Sequence, residues 1–165
     1  MLTFAEKERE CERRFEKSGS FWHLYTDGRI MGDFLCTEED FKIAMTALAI
    51  TTVLFKKVRI ITFELMSNHI HLILNGAEDC MGLFERLKAR LKRILKTHER
   101  TIDWRMFQAE ILPITTLDAL RNEIIYVNRN AFVASPHFTP FSYPWGGGCA
   151  YFSPIFRLLP AKTLR

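Results

Sequence analysis

His69 and His71 stand two residues apart inside an apolar stretch, Leu65-Met66-Ser67-Asn68-His69-Ile70-His71-Leu72-Ile73-Leu74. The aliphatic and β-branched flanks predict a buried strand. Strand side chains alternate between faces, so both imidazoles project from one side. Two imidazoles held side by side on a rigid strand are half of a metal site. The plainer alternative is a hydrogen-bonded histidine pair at a sheet edge.

Tyr126 and Asn130 add a second pair. They are four residues apart in a helical pattern and so lie one turn from each other on one face. With that face packed near the histidine strand, four polar groups converge. His69 and His71 supply two metal ligands and the Asn130 carbonyl oxygen can supply a third. A nitrogen and oxygen set without thiolate suits magnesium or manganese. Such a metal polarises a phosphoryl oxygen. The Tyr126 phenol is a competent nucleophile that forms covalent intermediates. The alternative for Tyr126 is a helix tyrosine with its ring in the core.

The elements that must position these groups follow from periodicity and turn residues. A strand begins near Ser20, runs through Phe21-Trp22-His23-Leu24-Tyr25 and ends at the turn Asp27-Gly28. Thr37 reads as an N-cap with Asp40 at the capping-box position, opening an amphipathic helix from Phe41 to about Thr52. The next strand is 58–65, and a Met-Ser-Asn turn leads into the histidine strand. A second helix is expected over 82–100, with a stripe of Leu83, Leu87, Leu91 and Ile94 or Leu95. A strand follows at 107–114. Thr115-Thr116 can cap a third helix from Leu117 to about Asn130. The order β-α-β-β-α-β is the split β-α-β, ferredoxin-like arrangement, an α+β fold with an antiparallel sheet and helices on one face. The additional C-terminal helix carries Tyr126. Residues 1–18 read as a charged arm, 19–145 as one folded domain, and 146–165 as an irregular tail that ends abruptly enough to be a truncation.

The 165 residues suit one domain with a real core, at 48% hydrophobic and 13% aromatic. Disorder and low complexity are excluded. The net charge of +4 is only mildly basic. Four cysteines (Cys11, Cys36, Cys80, Cys149) form no Cys-x-x-Cys pair, which argues against a zinc ribbon. Without an apolar leader or an apolar run of membrane-spanning length, the expected setting is cytoplasmic, with free thiols.

The stretch 65–73 matches, almost residue for residue, the Met-x-Asn-His-hydrophobic-His motif of the REP-associated tyrosine transposases. These belong to the single-tyrosine HUH endonuclease superfamily. Tyr126-Val127-Asn128-Arg129-Asn130-Ala131 resembles that family's Tyr-Ile-His-x-Asn-Pro helix motif. Phe21-Trp22-His23-Leu24-Tyr25-Thr26 resembles its first strand and Ser142-Tyr143-Pro144-Trp145 its Tyr-x-Trp motif. The resemblance runs from about Gly19 to Trp145. It implies His69, His71 and Asn130 as metal ligands and Tyr126 as nucleophile. It also implies cleavage of single-stranded DNA at imperfect hairpins, through a 5′-phosphotyrosine link and a free 3′-hydroxyl. In the broader superfamily both monomers and homodimers that exchange the tyrosine helix occur. Ala131 stands where the family usually has proline, which bears on how the helix ends. Gly146-Gly147-Gly148 replaces the usual serines.

Arg86, Lys88, Arg90, Lys92, Arg93, Lys96 and Arg100 make the second helix basic, suited to phosphates of a DNA backbone or to a solvated face. Arg129 can assist at the scissile phosphate. Trp22, Trp104, Tyr143 and Trp145 can stack on bases or fill the core. His23, His98 and His137 lack a partner at ligand spacing and read as ordinary. Glu64 reads as a strand-end carboxylate or as an acceptor that orients a histidine. Two rivals to a tyrosine strand transferase remain: a hairpin-binding module without catalysis, and a metal-dependent hydrolase using water.

Overall fold

The computed structural model describes residues 3–76, 79–95 and 102–152. Its elements are α1 (Phe4–Lys17), β1 (Phe21–Thr26), α2 (Gly28–Met31), α3 (Glu38–Leu54), β2 (Arg59–Leu65), β3 (Ile70–Asn75), α4 (Cys80–Leu95), β4 (Ala109–Ile114), α5 (Leu117–Ala134) and α6 (Gly148–Phe152). The four strands form one antiparallel sheet in the order β2-β3-β1-β4, which is the expected ferredoxin-like arrangement. The histidine strand β3 is central.

Strand alternation sorts the side chains onto two faces. Leu24, Ile70, Leu72 and Leu74 point to one face and join Leu48 of α3 and Leu83, Phe84, Leu87, Leu91 and Leu95 of α4 in the main core. Burying each of these side chains stabilises the fold by about 1.5–3 kcal/mol before entropy is subtracted. Thr37 caps α3 as expected: its hydroxyl accepts from Asp40 N at 3.2 Å, and Asp40 Oδ2 accepts from Thr37 N at 2.9 Å. Phe34, Trp104 and Phe107 close this core edge-to-face, and Phe84 lies tilted against Phe107.

The opposite face carries Phe21 and Ile73, and α5 covers it through Leu120 and Val127. The expectation of helices on one face therefore holds for α3 and α4 only. A third amphipathic helix has nowhere else to bury its stripe once α3 and α4 fill the first face. Thr116 caps α5, accepting from Ala119 N at 3.1 Å. The helix runs one turn past Asn130 to Ala134, because Ala131, unlike a proline, lets it continue.

The charged arm is a regular helix, with a capping box of Thr3 and Glu6. It docks on α5 through Arg121, which grips both Glu8 oxygens, while Phe15 stacks on Phe21 at 5.0 Å. After α5 the chain returns along the edge of β2. Leu65 N donates to Trp145 O and Gly147 N to Phe63 O, at 2.9 and 2.8 Å. A Cβ at Gly148 would collide with the Pro140 carbonyl, so this return needs glycine there. The second helix beyond Leu95, with Lys96, His98 and Arg100, lies outside the described residues.

Candidate active site

His71 lies on β3 opposite Tyr25 of β1 and Glu64 of β2, on the face that α5 covers. His69 sits one residue before the strand, in the turn closed by Met66 N donating to His69 O at 2.8 Å. His69 therefore lies outside the strand, yet the two rings come together as expected. Their centroids are 4.9 Å apart and nearly perpendicular. Ile70 N donates to Thr26 Oγ1 at 3.0 Å and pins the residue between them to β1.

Asn68 orients His69. Its Oδ1 lies 2.6 Å from His69 Nδ1, and its Nδ2 donates to Gly28 O at 3.1 Å. Gly28 must lack a side chain: a Cβ there would stand 2.8 Å from His69 Nδ1 and 2.9 Å from the Asn68 amide. Asn130 completes the group from α5. Its Nδ2 is spent on the carbonyls of Tyr126 and Val127, at 3.1 and 3.2 Å, and the side chain lies close enough to His69 to favour the protonated ring. The amide oxygen is thus the atom not used by these helix bonds.

Tyr126 is 53% exposed, and its ring stands edge-on to His71 at 5.6 Å and to His23 at 6.0 Å. This position rejects the core-ring alternative. A cavity of about 460 Å³ opens here, lined among others by Tyr25, Asp27, Arg29, His69, His71, Glu110 and Tyr126.

Burial, with the neighbouring His69 and His23, drives His71 down to about 3. Burial also lowers His69 and His23, against the opposing bonds to Asn130 and Glu123. Neutral imidazoles are the form that ligates metals. Glu64, 2% exposed, is pushed up to about 7 by burial, although the backbone N–H groups of Ala131 and Asn130 oppose this. Ala131 N donates to Glu64 Oε1 at 3.4 Å. Glu64 is therefore neither a plain strand-end carboxylate nor, in its bonds, a histidine partner. It faces the backbone of α5.

Among the described residues no three His, Cys, Asp or Glu side chains gather as a metal cluster. The donor set that does converge is two imidazoles and an amide oxygen. With both rings neutral and Asn130 turned by its helix bonds, that set fits a hard or borderline divalent cation.

Three outcomes differ from the sequence reading. His23 is not ordinary: it bonds both His71 and Glu123. No spacing rule links residues a hundred positions apart. Its alternation with Leu24 on β1, however, places it on the face of Tyr25. Second, the cation at the cavity is Arg29, whose guanidinium pulls the Asp27 carboxyl down to about 2. Arg129 is on the exposed side of α5 and does not line the cavity. Third, Arg86, Lys88, Arg90, Lys92 and Arg93 belong to α4, across the sheet from Tyr126. Trp22, Trp104 and Trp145 pack against the core and Tyr143 is buried, its hydroxyl donating to Leu65 O at 2.6 Å, so core packing accounts for these rings.

The backbone alone has a counterpart of known structure. Over 78% of this chain and 76% of the other, it superposes on a REP-associated tyrosine transposase bound to a REP hairpin, with a TM-score of 0.61 at 12% identity. The fold is that of a REP-associated tyrosine transposase. A candidate transposase from Deinococcus radiodurans aligns over 67% of this chain and 88% of its own, with a TM-score of 0.46 at 16% identity. No family model and no curated protein matches the sequence. Among the described residues no helix is long and apolar enough to cross a membrane.

Proposed function

We propose that the chain is a transposase-type DNA nicking and joining enzyme that cuts single-stranded hairpin DNA through Tyr126. The observation that carries this reading is the exposed Tyr126 ring standing edge-on over His71, in a cavity that also holds His69, with Asn130 one turn along the same helix. A structural tyrosine would bury that ring, and a water-using hydrolase would have no need of it at the cavity wall.

His69, His71 and Asn130 would hold a divalent cation, magnesium or manganese. Bound there, it would supply charge to a phosphoryl oxygen and stabilise the negative charge of the transition state. Arg29 at the cavity wall attracts the DNA phosphate, and Asp27 fixes its guanidinium at 2.7 Å. The Tyr126 oxygen gives up its proton and bonds phosphorus while the bond to the 3′ oxygen breaks. The departing 3′ oxygen takes a proton. The step exchanges one phosphodiester for another, so a 5′-phosphotyrosine and a free 3′-hydroxyl are left and the reverse reaction can rejoin strands. The α4 cations and Arg129 would contact phosphates of the hairpin stem outside the cavity. That the superposed transposase was bound to a REP hairpin supports the choice of hairpin DNA.

The test is incubation with labelled single-stranded hairpin DNA from the flanks of its own gene, with manganese or magnesium, followed by a denaturing gel. A metal-dependent labelled protein band that Tyr126→Phe abolishes is expected. Cleavage without an adduct would establish the water-using hydrolase instead.

A further inference from the structure

We infer that Glu123 and His23 form a hydrogen-bonded chain that fixes the tautomer and orientation of His71. This rests on the reading of His71 as a metal ligand. His23 Nδ1 lies 2.8 Å from Glu123 Oε2, and His23 Nε2 lies 3.0 Å from His71 Nδ1. Both histidines are 4% exposed, so water does not compete for the bond between them.

The proton positions follow from the chemistry of the three groups. A carboxylate only accepts, so His23 must present Nδ1–H to Glu123. A neutral His23 then has a lone pair at Nε2. The group it meets must therefore be the Nδ1–H of His71. That leaves the Nε2 lone pair of His71 free to ligate a cation. The opposite assignment would set the His23 Nδ1 lone pair against a carboxylate. Metal-bound histidines ordinarily hand their second N–H to such an acceptor, and loss of that acceptor costs metal affinity. Here the acceptor is a second imidazole backed by a carboxylate.

The fold supplies both halves. β1 pairs with β3 so that Tyr25 faces His71 and His23 faces Ile73, one diagonal step away on the same face. Glu123 is three residues before Tyr126 on α5 and so shares its face. One helix thus carries the nucleophile and the carboxylate that sets the ligand across from it. His23 and Glu123 are positioning residues; neither lines the cavity.

Long-range proton–nitrogen NMR on metal-free protein with ¹⁵N-histidine reads the tautomer directly, and calorimetric titration with Mn²⁺ alone reads the affinity. The wild type should show His71 protonated on Nδ1. His23→Phe, which removes the acceptor, should mix the tautomers and weaken Mn²⁺ by about tenfold or more. His23→Gln, whose carbonyl can accept the same proton, should restore most of that affinity. Glu123→Leu, at a partly exposed site, tests the chain should His23→Phe not fold. It should mix the tautomers with a loss of a few fold. A wild-type His71 protonated on Nε2, or affinity unmoved in His23→Phe and Glu123→Leu, overturns the chain and leaves the metal reading intact. A wild type that shows the Nδ1 tautomer but binds no Mn²⁺ overturns the metal reading, and the proposed role falls with it.

Discussion

At the scale of residues, burial keeps the His69 and His71 pair neutral and two hydrogen bonds orient the rings. The Asn68 amide is the bond on the His69 side. Asn68→Ala should free that ring and weaken Mn²⁺ about tenfold in a calorimetric titration, with Tm little changed. Unaltered affinity would remove Asn68 from the site. Gly28→Ala should disturb the same bond, since its Cβ would press on both His69 Nδ1 and the Asn68 amide. Glu64 makes a prediction of a different kind. Its folded pKa of about 7 stands above the ordinary value of 4.5, so the folded state holds the proton more tightly. Stability from this group is full below pH 4.5 and is lost as pH rises to about 7. The cost of burying the charge approaches about 3 kcal/mol above that. Glu64→Gln should therefore melt progressively higher than wild type from pH 4.5 to 7, with a constant gap beyond. A gap independent of pH would show that Glu64 does not titrate as its burial dictates.

At the scale of elements, α5 decides whether the site exists, because it brings Tyr126, Asn130 and Glu123 to the sheet. Its start depends on Thr116, the acceptor for Ala119 N. Thr116→Ala should cost about 1 kcal/mol in chemical denaturation without altering the site's chemistry. The strands, α3, α4 and α5 were legible because each has one strong period, for α4 the leucine stripe ending at Leu95, and α3 and α5 add the recognisable caps Thr37 with Asp40 and Thr116. What was not legible depends on pairing at long range. His23 looked ordinary because Glu123 lies a hundred residues away, and only the β1–β3 register with α5 above it brings them together. His69 fell outside its strand because the Met66 to His69 turn takes one residue more than the motif alone implies. The charged arm gave no apolar stripe to read; its docking rests on one arginine, Arg121, and one stacked ring, Phe15. The side of the sheet that α5 would cover followed from which face α3 and α4 had already filled.

At the scale of the whole molecule, the Tyr126 and histidine cluster and the basic helix α4 are on opposite faces of one sheet. If a hairpin stem reaches α4, its affinity must depend on salt. Replacing Arg86, Lys92 and Arg93 by Gln should lower the slope of log affinity against log salt by about one per lost phosphate contact. Cleavage of pre-bound DNA should persist. An unchanged slope would make α4 a solvated face. The central claim is that Tyr126 bonds phosphorus, and peptide mapping tests it most directly. Protein incubated with single-stranded hairpin DNA and Mn²⁺ is digested with trypsin and nuclease, and the residual nucleotide is located by mass spectrometry. The account predicts a nucleotide 5′-phosphate on Tyr126 and nowhere else. Cut DNA with an unmodified Tyr126, or the nucleotide on another side chain, would contradict it.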